Sequence, residues 1–163
     1  MEALAPFRRA QPARPEGDPK PLPYLWDETD QSKGALSLEL DVFLSSAAMR
    51  EKGMEPLRLS HGAASNMYWT IAQMVTHHAS NGCQMQTGDL LGSGTISGPK
   101  NGSQGSLMEI TRNGKEPVEL PTGETRTFLE DGDELSLAGH FTADGAVSIG
   151  FGECRGTVSP ART

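Results

Sequence analysis

From Ala35 to Leu44 apolar and polar residues alternate: Leu36, Leu38, Leu40 and Val42 interleave with Ser37, Glu39 and Asp41. A repeat of two is the repeat of a β-strand, whose successive side chains point to opposite faces. The segment therefore predicts a strand with one buried and one wet face. Such a strand cannot stand alone, because its backbone N–H and C=O groups need partners. The sequence supplies candidates. Pro56–His61 predicts a weaker strand, with residues 45–55 between as a polar loop. Asp89–Thr95 and Ser106–Thr111 read as short strands, and Asn113-Gly114 as a two-residue hairpin turn into Val118-Glu119-Leu120. Pro117 lacks an N–H and places that strand at an edge. Thr125–Leu129 reads as another short strand. Asp131-Gly132 then turns into Glu134–Phe141, and Asp144-Gly145 returns the chain through Val147-Ser148-Ile149.

One segment has the helical period instead. Met67, Ile71, Met74, Val75 and His78 make one apolar stripe, predicting a helix over Asn66–Ser80. Ser65 or Asn66 would cap it, Asn81-Gly82 would close it, and its length would be about 22 Å. Strands, one main helix and then many strands predict an α+β, β-rich fold, a mixed β-sandwich or roll. Six of the eleven prolines fall within residues 1–23. Residues 1–24 are therefore expected as an extended lead-in running over a surface formed by residues 25–163.

The composition excludes several functions. The net charge is -7, and no basic run is longer than Arg8-Arg9, so nucleic acids and anionic membranes are poor partners. No apolar run approaches the roughly 18 residues of a membrane span. Pro6, Arg8 and Arg9 interrupt the N-terminus before a signal peptide's apolar segment could form. The two cysteines, Cys83 and Cys154, make no disulfide framework and read as free thiols in a reducing cytoplasm.

The chemistry concentrates after a buried-looking pair, Leu90-Leu91. The loop Gly92-Ser93-Gly94-Thr95-Ile96-Ser97-Gly98 is built of small residues, and glycine lets backbone approach a ligand where a Cβ would collide. The loop is either a tight β corner or a ligand-facing loop in which Thr95 offers a hydroxyl. It has neither Walker nor dinucleotide spacing, and Thr95 stands where a nucleophile elbow needs glycine. Glu109, on the next apolar run, is either solvated at an edge or held by a partner, for which an imidazole is chemically suited. His77, His78 and Cys83 invite a metal reading. Adjacent helical histidines point about 100° apart and no second ligand pair accompanies them, so packed, hydrogen-bonded histidines are expected. Residues 130–134, Glu-Asp-Gly-Asp-Glu, lack the spacing of a calcium loop and read as a solvated turn.

Several segments together resemble the fumarylacetoacetase family. They are Pro21-Leu22-Pro23-Tyr24-Leu25, Tyr68-Trp69-Thr70 with Gln73, Thr76-His77-His78, Asn81-Gly82-Cys83, Gly88-Asp89-Leu90-Leu91 and residues 93–99, Ser-Gly-Thr-Ile-Ser-Gly-Pro. Gly105-Ser106, Glu109, Phe128-Leu129, Asp131-Gly132-Asp133-Glu134 and Ile149-Gly150-Phe151-Gly152 with Cys154 continue the likeness over nearly the whole chain.

The resemblance implies the C-terminal portion of a homodimeric cytoplasmic hydrolase. That enzyme splits a carbon–carbon bond of 4-fumarylacetoacetate into fumarate and acetoacetate, in tyrosine and phenylalanine catabolism. It implies a histidine that activates water and a Ca²⁺ or Mg²⁺ held by carboxylates. It makes Thr95 a contact of the substrate carboxylate and Glu109 the acid that orients the histidine. None of His61, His77, His78 and His140 stands in the family's catalytic-histidine context, so that histidine and the metal ligands are expected outside this chain. No tightly held metal, and no turnover by the chain alone, are the corresponding expectations. Two rival readings remain. One is a superfamily member acting on acylpyruvates as hydrolase, decarboxylase or isomerase. The other is a non-catalytic β-rich assembly module with an uncovered apolar surface.

Overall fold

A computed structural model describes residues 2–162. The chain opens with a 3₁₀ turn, Glu2–Phe7, and a short strand β1 (Arg8–Arg9). Helix α1 (Glu28–Lys33) begins at Asp27, whose carboxylate accepts the Asp30 N–H at 2.8 Å. Strand β2 (Ala35–Leu36) then pairs antiparallel with β1. Strand β3 (Leu38–Ser45) follows, so the expected strand is present but broken at Ser37. Ser37 bonds elsewhere: its N–H donates to the Phe7 carbonyl at 2.8 Å, and its hydroxyl to Thr142.

The expected loop after β3 contains a helix, α2 (Ala47–Glu51). Ser46 caps it by accepting the Met49 N–H at 3.1 Å, which gives a polar-looking segment a helical start. Strand β4 (Leu57–Ala63) pairs with β3. A 3₁₀ turn, Ala64–Asn66, and an irregular Met67-Tyr68-Trp69 precede the main helix α3 (Ile71–Ala79). This helix is shorter than expected, about 13 Å rather than 22. Thr70, not Ser65 or Asn66, caps it through a reciprocal box with Gln73. Gly82, at φ +89°, closes the segment as expected.

No helix or strand forms over residues 80–106, so the expected strand Asp89–Thr95 is absent. Ser106–Thr111 is also corrected: it holds the short helix α4 (Leu107–Ile110). Asn113-Gly114 belongs to the turn that ends this helix rather than to a hairpin. Arg112, Asn113 and Gly114 take φ of 48°, 59° and 79°, and the Asn113 N–H returns to the Met108 carbonyl at 2.8 Å. Strands β5 (Val118–Glu119) and β6 (Thr125–Arg126) pair with each other. Strand β7 (Glu134–Phe141) turns at Asp144-Gly145 into β8 (Ile149–Thr157), which runs well past the expected Val147–Ile149.

Strands β4, β3, β7 and β8 form one antiparallel sheet in that order. Leu44, Met49 and Leu120 form a buried core, with Leu57, Leu59, Val118 and Leu135 packed around it. The wet face assigned to Asp41 needs correction: Asp41 is only 9% exposed. Its neighbours on β4 and β7 explain why a carboxylate tolerates this. The His61 Nδ1, Arg58 Nη1 and His140 Nδ1 atoms lie 2.9, 3.6 and 3.9 Å from its oxygens. The acidic 130–134 turn is likewise not solvated throughout. Asp133 is 1% exposed and takes Arg126 Nε and Nη2 at 2.8 and 3.0 Å. The result is an α+β molecule of antiparallel sheets and few helices. Among the described residues, no helix is long and apolar enough to cross a membrane.

Candidate functional site

Thr95 and Glu109 line one cleft of about 480 Å³. Its walls are the Met67-Tyr68-Trp69 segment, the 93–97 loop and the start of α4. Thr95 comes from irregular chain and Glu109 from a helix, so folding alone brings them together.

The loop keeps its place without regular structure. Ser103 is buried and makes a tight turn: Gly98 N–H donates to its carbonyl at 2.8 Å, and its own N–H donates to Lys100 O at 3.0 Å. The Gly102 carbonyl accepts the His61 N–H at 2.8 Å, which fastens this turn to β4. Two glycines are there for close approach. A Cβ on Gly105 would lie 2.5 Å from the Ile96 carbonyl and 2.6 Å from Thr95 Cγ2. One on Gly98 would lie 2.7 Å from both Asn66 Nδ2 and Ser103 Oγ. The opposite wall is fixed by the N-terminal stretch. Gln11 Nε2 donates to the Met67 and Tyr68 carbonyls at 2.9 and 3.1 Å. The Arg14 guanidinium sits 4.4 and 4.2 Å from the Tyr68 and Trp69 ring centres.

Glu109 is exposed yet well partnered. Ser106 caps α4, accepting the Glu109 N–H at 3.3 Å, and its hydroxyl donates to Glu109 Oε2 at 2.8 Å. The Ser97 hydroxyl lies 2.9 Å from both carboxylate oxygens and accepts the Gly105 N–H at 3.0 Å. Ser106 first, then Ser97, hold the Glu109 carboxyl below its ordinary value by stabilising the charged form. Of the two readings left open by the sequence, solvated or held by a partner, the carboxylate is held, and its partners within this chain are the Ser97 and Ser106 hydroxyls.

Among the described residues, no histidine lines this cleft. His77 Nδ1 lies 3.0 Å from the Tyr24 hydroxyl, and His78 Nε2 lies 3.3 Å from Cys83 Sγ. Both rings are hydrogen-bonded, as expected, but exposed rather than packed. Cys83 and Cys154 are free and exposed. Leu90 and Leu91, which read as buried, are 98% and 49% exposed. Beside the cleft runs an apolar groove of about 380 Å³, where Met74 and Val75 of α3 face Leu38, Leu40, Leu91 and Ile96. Among the described residues, no group of three or more His, Cys, Asp or Glu side chains is arranged to hold a metal ion.

Sequence reasoning missed Ser97 and Ser106 as partners of Glu109. Ser106-Leu107-Met108-Glu109 has the spacing of a helix-capping box and was readable as such. Nothing in the sequence pairs Ser97 with Glu109.

The family described as fumarylacetoacetate (FAA) hydrolase C-terminal matches residues 29–159. The chain belongs to this fumarylacetoacetate hydrolase family. Relatives cover almost all of it. The fumarylacetoacetase of Bos taurus is 45% identical over 161 residues, 99% of this chain and 36% of that protein. Those of Homo sapiens and Dictyostelium discoideum are each 42% identical over 99% of the chain. The chain thus spans about a third of the length of these curated relatives, 36% in each case, and corresponds to a C-terminal portion of the family.

Proposed function

We propose that this chain is the C-terminal part of a fumarylacetoacetase. In that reading, Thr95 contacts a substrate carboxylate, and Glu109 orients a water-activating histidine contributed from outside the chain. The whole enzyme hydrolyses the carbon–carbon bond of 4-fumarylacetoacetate to fumarate and acetoacetate in tyrosine and phenylalanine catabolism. One observation carries the reading: the two residues that the family likeness singled out share one cleft.

The chemistry suits that assignment. A β-diketone needs a base for water and positive groups on its oxygens. Glu109, ionised and held by Ser97 and Ser106, is an acceptor for an imidazole N–H. Thr95 supplies a neutral hydroxyl on the same cleft. Among the described residues, no group of three or more His, Cys, Asp or Glu side chains is arranged to hold a divalent ion. In this reading, a Ca²⁺ or Mg²⁺ of the complete enzyme takes its ligands from outside this chain. The chain alone is inactive in this reading, and the complete enzyme is a cytoplasmic homodimer.

Two measurements test this. Incubated with 4-fumarylacetoacetate, the chain alone is expected to leave the diketone absorbance unchanged; steady loss of that absorbance would contradict the reading. Calorimetric titration with Ca²⁺ is expected to show weak binding, and micromolar affinity would count against it.

A further inference from the structure

We propose that Ser97 is a positioning residue that ties the Thr95 loop to Glu109 and fixes the direction of its carboxylate. This rests on reading Thr95 and Glu109 as parts of one site. A hydroxyl has one hydrogen and two lone pairs. The Gly105 N–H occupies a lone pair of Ser97 Oγ at 3.0 Å, and both oxygens of Glu109 stand 2.9 Å away. The one hydroxyl hydrogen of Ser97 is therefore directed at the carboxylate.

Gly105 makes this arrangement possible. It has no Cβ where the Ile96 carbonyl and Thr95 Cγ2 press closest, it donates to Ser97, and it immediately precedes the capping Ser106. Gly105 thus adjoins both hydroxyls that meet Glu109, one through its N–H and the other along the chain. Ser106 moves with α4 and cannot link it to the loop. Ser97 can, because it lies two residues beyond Thr95 on the same loop. A carboxylate has about four acceptor sites, so these hydroxyls leave capacity for a further donor in the cleft. Charge-assisted bonds of this kind keep it ionised, an acceptor rather than a donor.

The titration of Glu109, followed by ¹³C NMR of its side-chain carboxyl in this chain, separates positioning from mere loop support. Ser97→Ala is expected to shift the Glu109 midpoint upward, and Ser97→Thr to keep it near wild type. Glu109→Gln assigns the resonance. Should Ser97→Ala fail to fold by circular dichroism, Ser97→Cys carries the same expectation, because a thiol fills the space but donates weakly. A folded Ser97→Ala or Ser97→Cys chain with an unmoved midpoint overturns the proposal. The readout needs no turnover, so it stands apart from any failure of the hydrolase reading.

Discussion

Arg126 and Asp133 show how far a residue's surroundings can depart from its sequence context. Asp133 sits in a run of acidic residues that looked solvated, yet it is 1% exposed because Arg126 reaches it with two donors, Nε at 2.8 Å and Nη2 at 3.0 Å. Glu124 and Glu130 approach the same guanidinium at 3.2 and 3.4 Å. Removing the guanidinium leaves the buried Asp133 charge without its cation, although the Glu130 N–H still donates to it at 2.9 Å. Arg126→Met is therefore expected to cost about 3–5 kcal/mol in urea unfolding; a change within experimental error would contradict this. Glu124 offers a pH test. The Ser46 and Thr122 hydroxyls, then Arg126, hold its carboxyl down to about 2. A carboxyl depressed by folding stabilises above its unfolded value of 4.5 and loses that contribution as pH falls toward about 2. Glu124→Gln is expected to flatten the acid side of the stability–pH curve in that window. An unchanged slope would show that the three bonds do not persist in solution.

At the scale of elements, strands were legible: the period-two segment Ala35–Leu44 is strand apart from a break at Ser37, and Glu134–Phe141, set between Asp131-Gly132 and Asp144-Gly145, is strand as expected. What stayed hidden was capping. Ser46, Thr70 and Ser106 each accept a backbone N–H and start a helix at a place that apolar periodicity does not mark. The apolar stripe from Met67 to His78 lines an open groove rather than a closed core, the buried residue of the helix is Gln73, and the predicted start was wrong. Trp69 and Tyr68 are held outside the helix by Gln11 and Arg14, distant in sequence. Thr70 also donates to Asp30 Oδ2 at 2.6 Å and is 2% exposed. Thr70→Ala is expected to lower stability by about 1–2 kcal/mol, and Thr70→Ser to recover most of it. Equal stabilities for the two variants would argue against the cap.

For the whole molecule, the sequence singled out two residues that share a cleft, but not what surrounds them. Thr95 and Glu109 were singled out by family likeness, whereas the cleft that joins them depends on the Ser103 turn, bare backbone at Gly105 and the N-terminal stretch. The expected burial of Leu90-Leu91 failed: they are 98% and 49% exposed, and among the described residues no element folds over that loop. Leu91 instead borders an open apolar groove with Ile96, Met74 and Leu40. Water-exposed apolar surface of this kind binds hydrophobic dyes. Anilinonaphthalene sulfonate is expected to fluoresce with the folded chain and to lose much of that signal in Leu91→Glu. No enhancement with the wild type would mean the groove is closed in solution.

The decisive measurement is turnover by a chimera in which this chain replaces the corresponding portion of the Bos taurus fumarylacetoacetase, 45% identical to it. The chimera is expected to hydrolyse 4-fumarylacetoacetate, and Glu109→Gln is expected to lower its kcat about 10²-fold or more, the scale of a lost general-base contribution. Full activity in the Glu109→Gln chimera would contradict the assignment of Glu109 and its cleft.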